Sequence, residues 1–164
     1  MKSFWIFTVS IAFAAGIFLS VTSNVFAQTP EEFGLIPQKT LPGTSAYVFK
    51  RLKEKITEFF TFSSGAKFSY RAELLEKRVS EYVSLVDSKN QTEIANASQR
   101  ISYEAGILTD SAKNDKDKTE TDSLFEKYKP IMAKMRDNFP ANSPSWLLSQ
   151  EDIDTFNILK EKLK

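Results

Sequence analysis

Phe68, Ala72, Leu75, Val79, Tyr82 and Val86 follow one another at intervals of 4, 3, 4, 3 and 4 residues. A helix turns once in about 3.6 residues, so all six fall on one side of it for about five turns. This spacing predicts a helix over 66–88. Upstream, Val48, Leu52, Ile56 and Phe59 or Phe60 recur every three to four residues, widened by Tyr47, Phe49 and Phe62. Lys50, Arg51, Lys53, Glu54, Lys55 and Glu58 fill the rest of that circumference, the composition of an amphipathic helix over 44–62 that buries its apolar stripe. The break between the two, Ser63-Ser64-Gly65, is too short for anything but a fold-back. An antiparallel αα-hairpin over Leu41 to Val86 is therefore the expected organising unit. Lys50, Arg51 and Glu54 are placed to pair across it with Arg71, Arg78, Glu76 and Glu81, as exposed ion pairs of about 0 to 1 kcal/mol each.

The rest of the chain supplies elements to pack on this hairpin. Ile94, Ser98, Ile101, Ala105, Leu108 and Ala112 repeat the same spacing and predict a helix over 91–113, with Asn90 and Glu93 in the positions of a capping box. Lys113 to Asp122 has no apolar residue in its ten, and reads as a solvated connection. Leu124, Phe125, Tyr128, Ile131, Met132, Met135 and Phe139 predict a helix over 120–139, bent near Lys129 by Pro130, with both methionines filling core. Trp146-Leu147-Leu148 is expected to plug one end of the bundle, and Ser149 to cap a last helix over 150–163 carrying Ile153, Phe156, Leu159 and Leu163. Five Gly and six Pro in 164 residues, clustered at apparent boundaries, favour long regular elements over a many-stranded sheet. The fold class is all-α: an N-terminal signal helix, then a small helical bundle built on an antiparallel αα-hairpin.

The first 27 residues have a different physics. Lys2 precedes an uncharged, mostly apolar run from Phe4 to Val21, and Val25-Phe26-Ala27 presents small or short residues where a signal peptidase reads. Residues 1–27 are thus expected to be a secretory signal peptide cleaved after Ala27, with an uncleaved membrane anchor as the alternative. Residues 28–43, with their prolines and no helical period, read as an extended linker, and 44–164 as one helical domain. Export places the domain in an extracellular, periplasmic or cell-surface setting.

The chain contains neither Cys nor His. That removes disulfides, thiolate chemistry, the commonest general base and the commonest metal ligand together. No catalytic residue, cofactor or metal site is expected, and the chain reads as a non-enzyme. A carboxylate-only site from Glu73 and Glu76 facing Glu151, Asp152 or Asp154 would lack the His that helical di-metal bundles use. Charge is unevenly distributed: Thr44 to Arg78 carries eight basic residues against four acidic, Val79 to Lys164 twelve against fifteen. Either the two oppositely charged parts pack together, or the basic hairpin contacts an anionic envelope polymer or membrane surface through Lys50, Arg51, Lys53, Lys55, Arg71 and Arg78. The favoured reading is an interaction, spacer or sensor module of the cell envelope whose partner is another envelope protein or such a polymer. Nucleic acid is not expected, and membrane contact only through the N-terminal segment if it is uncleaved.

Leu41-Pro42-Gly43, Tyr47, Lys50-Arg51-Leu52, Glu54, Phe62, Ala66, Arg71, Leu75 and Glu76-Lys77-Arg78-Val79-Ser80-Glu81 together resemble a family of exported or membrane-tethered prokaryotic proteins, number 5667 among domains of unknown function. The shared pattern is Pro-Gly, then Tyr four residues on, Lys-Arg after two more, a short break, and a second helix with a Glu-x-Arg-x-x-Glu core. It covers about Leu41 to Leu108. Ser63-Ser64-Gly65 stands where the family more often has an Asp-Pro turn. The resemblance implies a helical hairpin and supplies no catalytic residues.

Overall fold

The computed structural model describes residues 28–164; the expected signal peptide, residues 1–27, lies outside the described residues. A 3-10 turn, Pro30–Phe33, precedes five α-helices: α1 Ser45–Phe59, α2 Ser64–Asp87, α3 Gln91–Ser111, α4 Asp115–Arg136 and α5 Pro144–Leu163. There is no strand among the described residues. The all-α bundle expected from the sequence is the architecture observed.

Helices α2 and α3, joined by a tight turn in which Lys89 takes a φ of 56°, pack intimately, as do α4 with α5 and α3 with α5. The core between them holds the α2 stripe as read from its spacing. Phe68, Leu75, Val79 and Tyr82 are buried, joined by Ile94, Ile101, Ala105 and Leu108 of α3. From the other side come Phe125, Tyr128, Met132 and Met135 of α4 and Phe156 of α5, with Phe125 and Phe156 stacked at 5.0 Å between ring centres. Both methionines are core, as their spacing implied.

Several helix ends differ from expectation for reasons of local chemistry. Asn114 Oδ1 accepts the Asp117 N–H at 2.8 Å, and Asp115 and Asp117 sit in the first turn, where the helix dipole favours negative charge. Helix α4 therefore starts at Asp115, inside the stretch expected as a connection, and runs through Pro130 without interruption. Helix α5 starts at Pro144, not after Ser149, because Ser143 caps it and Pro144 occupies the first turn, where a missing N–H costs nothing. Ser149 is instead fully buried within the helix, hydrogen-bonded to Tyr82. Asn90 makes no side-chain cap bond, so the expected capping box at α3 is not formed.

Residues 28–43 are docked on the bundle, where an extended linker was expected. Leu35 is buried in the core, Phe33 packs against its edge beneath the Lys134 ammonium, and the Ile36 carbonyl accepts from Ser80 Oγ at 2.7 Å. The strap ends at Gly43, whose φ of 87° and approach to Glu93 leave no space for a side chain: a Cβ there would lie 2.9 Å from Glu93 Cγ.

Candidate interaction surface and its buried support

Helix α1 reverses the expected orientation. The stripe of Val48, Leu52, Ile56, Phe59 and Phe60 was expected to be buried, yet all five are exposed, as are Phe49 at 73% and Phe62 at 81%. The residues α1 buries are Tyr47 and Glu54. It still runs antiparallel to α2, since Tyr47 and Lys50 reach Glu81, Glu54 reaches Arg78, and Glu58 reaches Arg71. The hairpin is thus bridged by long polar side chains, and α1 scarcely approaches the backbone of any other helix.

The physical reason lies in Arg78. Its side chain is completely buried, on the α2 face turned toward α1 and α3. A buried guanidinium left unpaired is far too costly to tolerate, so carboxylates must come to it. Glu81 accepts from its Nη1 at 2.8 Å, Glu54 of α1 from its Nη2, and Glu104 of α3 lies 3.6 Å from its Nε. Lys50 closes on Glu81 at 2.7 Å, and Arg51 on Glu54 at 2.9 Å and Glu104 at 3.4 Å. Tyr47 donates to Glu81 at 2.7 Å, while the Arg100 guanidinium lies 4.8 Å from the centre of its ring. Residues 47, 50, 51, 54 and 58 form a second, polar stripe on α1 at helical spacing, and that stripe wins the interior.

Electrostatics agree with this geometry. Burial by itself lowers the proton affinity of Arg78, but Glu81 and Glu54 outweigh it and hold the guanidinium firmly charged. Burial, with Glu81 beside it, raises Tyr47 well above the ordinary tyrosine range. Burial also raises Glu104, against the pull of Arg78 and Arg51.

Of the six cations expected to meet an anionic surface, the structure sets four against carboxylates. Arg78 lies in the interior and cannot touch an external ligand in the folded chain. Lys50, Arg51 and Arg71 are engaged with Glu81, with Glu54 and Glu104, and with Glu58. Lys53 and Lys55 alone of the six are exposed. The pairs across the hairpin, expected to be exposed and weak, are largely buried. Pairing of Lys50, Arg51 and Arg78 with Glu81 and Glu104 joins the basic and acidic parts of the chain, one of the two explanations that the charge distribution allowed.

The carboxylates considered for a metal site are dispersed. Glu73 pairs with Lys77, Glu76 with Lys127 and the Tyr128 hydroxyl, and Asp152 accepts from Ser102. Among the described residues no three acidic side chains converge as a metal ion would require. The cleft of about 230 Å³ beside the network is lined by Arg51, Glu54, Lys55, Glu58, Arg71 and Glu104; apart from Lys55 each of these charged side chains is in an ion pair.

A family model described as "Domain of unknown function (DUF5667)" matches residues 39–139. The chain belongs to this family. Comparison with curated proteins and with solved structures gives no match. The matched span takes in the DUF5667 hairpin, the whole Arg78 network with Glu104 and Arg100, and α4. It leaves the strap before Lys39 and all of α5 outside, although Phe156 and Asp152 of α5 help to close the core.

Asp152, on α5 beyond the matched residues, is a buried carboxylate outside the Arg78 network. Ser102 Oγ donates to its Oδ1 at 2.7 Å while its Oδ2 has no partner. Burial pushes its pKa up to about 7, against the hydrogen bond from Ser102. The folded chain thus holds this proton more tightly than the unfolded one, so stability falls as pH rises from about 4 to about 7 and stays reduced above. Asp152→Asn removes that fall. The variant is expected to gain about 1 to 2 kcal/mol over the parent at pH 8, the removed charge being worth more and the amide's need for acceptors taking part of it back. Thermal melts of both proteins between pH 4 and 8 read this directly; parallel curves would show that Asp152 does not titrate in that range.

Proposed function

We propose that this domain is an extracytoplasmic module that acts by contact with another component of the cell envelope and not by catalysis. The observation that carries the reading is α1, whose apolar face points outward while its carboxylates are spent on Arg78 and Arg71. Folding an amphipathic helix polar side inward leaves apolar area uncovered, and a contiguous uncovered patch of this kind marks an interaction site. Support for export comes from the sequence of residues 1–27. Among the described residues no helix is long and apolar enough to cross a membrane.

The reading is tested in cells by placing a photo-reactive phenylalanine analogue at Phe49 and, as a control, at Gln99 on the exposed side of α3. Adducts from position 49 alone, in the exported fraction, are the expected result. A cytoplasmic protein, or no adduct from 49, overturns it. A second reading, binding of an anionic polymer or surface, is favoured by Lys53 and Lys55, which are exposed with no carboxylate partner among the described residues.

A further inference from the structure

Resting on the reading of α1 as a contact surface, we propose that its partner is an anionic lipid surface, on which α1 lies as an interfacial helix with Val48, Phe49, Leu52, Ile56 and Phe59 dipped among the acyl chains. The arrangement of charge around the helix selects this occupant. At about 100° per residue, these apolar side chains span one continuous arc, with Lys55 at one border and Lys53 at the other. Both borders are therefore cationic. The two carboxylates of the helix, Glu54 and Glu58, face the opposite way, toward Arg78 and Arg71. Nothing on the outward half of α1 repels a phosphate. Lysines flanking an apolar arc lay their methylene stems along the hydrocarbon boundary and lift their ammonium groups to the headgroups. Phenylalanine at 49 and 59, both about three-quarters exposed, supplies the large apolar area such binding needs.

A second copy of the chain fits less well. Two α1 helices face to face would crowd the four lysines of both copies around one interface with no outward carboxylate among them. The inward half explains how the helix tolerates the arrangement: its attachment is made of polar side chains reaching from one face, so the apolar face is not needed for the fold. The apolar run Phe4 to Val21 ends 23 residues before α1 in sequence, so its delivery of the chain to a membrane, by signal or by anchor, brings this face to lipid.

The absence of cysteine makes a site-specific test direct. In the full chain, Phe59→Cys and, separately, Ile158→Cys on the exposed side of α5 are labelled with a polarity-sensitive fluorophore and mixed with vesicles of phosphatidylcholine alone or containing about a third phosphatidylglycerol. The probe at 59 is expected to enter the lipid on the anionic vesicles while the probe at 158 stays in water, which separates α1 from any insertion of residues 4–21. Lys53→Gln with Lys55→Gln is expected to weaken entry of the probe on the order of 30-fold at low salt. A probe at 59 that stays aqueous on both vesicles overturns the proposal, as does one that becomes apolar with rising protein concentration in the absence of vesicles. If position 49 still forms protein adducts in cells while the vesicle probe stays in water, the lipid assignment falls and the interaction module stands.

Discussion

Replacing Arg78 by Met lowers the stability of the folded chain by about 3 to 5 kcal/mol and frees α1 before the rest unfolds. The guanidinium is the common partner of Glu54, Glu81 and Glu104, none of which is more than 8% exposed at its side chain. Met fills much of the volume but leaves three carboxylates buried against one another, with only Lys50 and Arg51 to balance them from the rim. Removing one partner of a buried set costs far more than the set contributes, because the stranded charges cannot reach water. Helix α1 responds first, since Glu54, Tyr47 and Lys50 tie it to the bundle by way of this site. Denaturant titration gives the loss, and trypsin cutting at Lys53 and Lys55 at denaturant levels where α3 is still protected reports the order. Arg78→Lys should fall between, because a single ammonium cannot reach three carboxylates in a fork. Arg78→Met combined with Glu54→Gln and Glu81→Gln should recover part of the loss. A change below about 1 kcal/mol for Arg78→Met would mean that the network behaves as a solvated surface cluster.

Leu75→Ala is expected to cost about 2 to 5 kcal/mol through a different mechanism, loss of transfer free energy and a cavity that rigid neighbours fill only in part. Leu75 has no exposed surface and belongs to the core that α3 and α4 complete. Val48→Ala on the outward face of α1 is the matched control, since Val48 is 69% exposed and should change stability by no more than about 0.5 kcal/mol. Denaturation midpoints of the two variants decide between the faces. Near-equal losses would place the apolar stripe of α1 in the interior after all.

The contrast between these residues shows where the sequence was legible. The 4-3-4-3-4 stripe of α2 and the matching one of α3 each had one apolar face and no rival, so Leu75, Val79, Ile101 and Leu108 were readable as core. Helix α1 had two faces at helical spacing. The apolar one, by transfer free energy alone, should have gone inside; nothing local told that Arg78, one charged residue among many in α2, would itself be buried and require Glu54. The cap of Asn114 and the docking of Leu35 were readable only in part: the first was hidden by a charged stretch resembling a loop, the second by two prolines resembling a linker. The second polar stripe, Tyr47, Lys50, Arg51, Glu54 and Glu58, was itself the available signal, since its members fall on one side of α1 as regularly as the apolar ones.

The sequence by itself determined that this chain is helical, where α2 and α3 put their apolar sides, and that it belongs to the DUF5667 family. Only the tertiary structure decided which way α1 faces. Apolar burial is additive and readable from one helix at a time, whereas the burial of Arg78 is a joint condition on carboxylates from α1, α2 and α3, residues 54, 81 and 104, that exists only once the three helices have met.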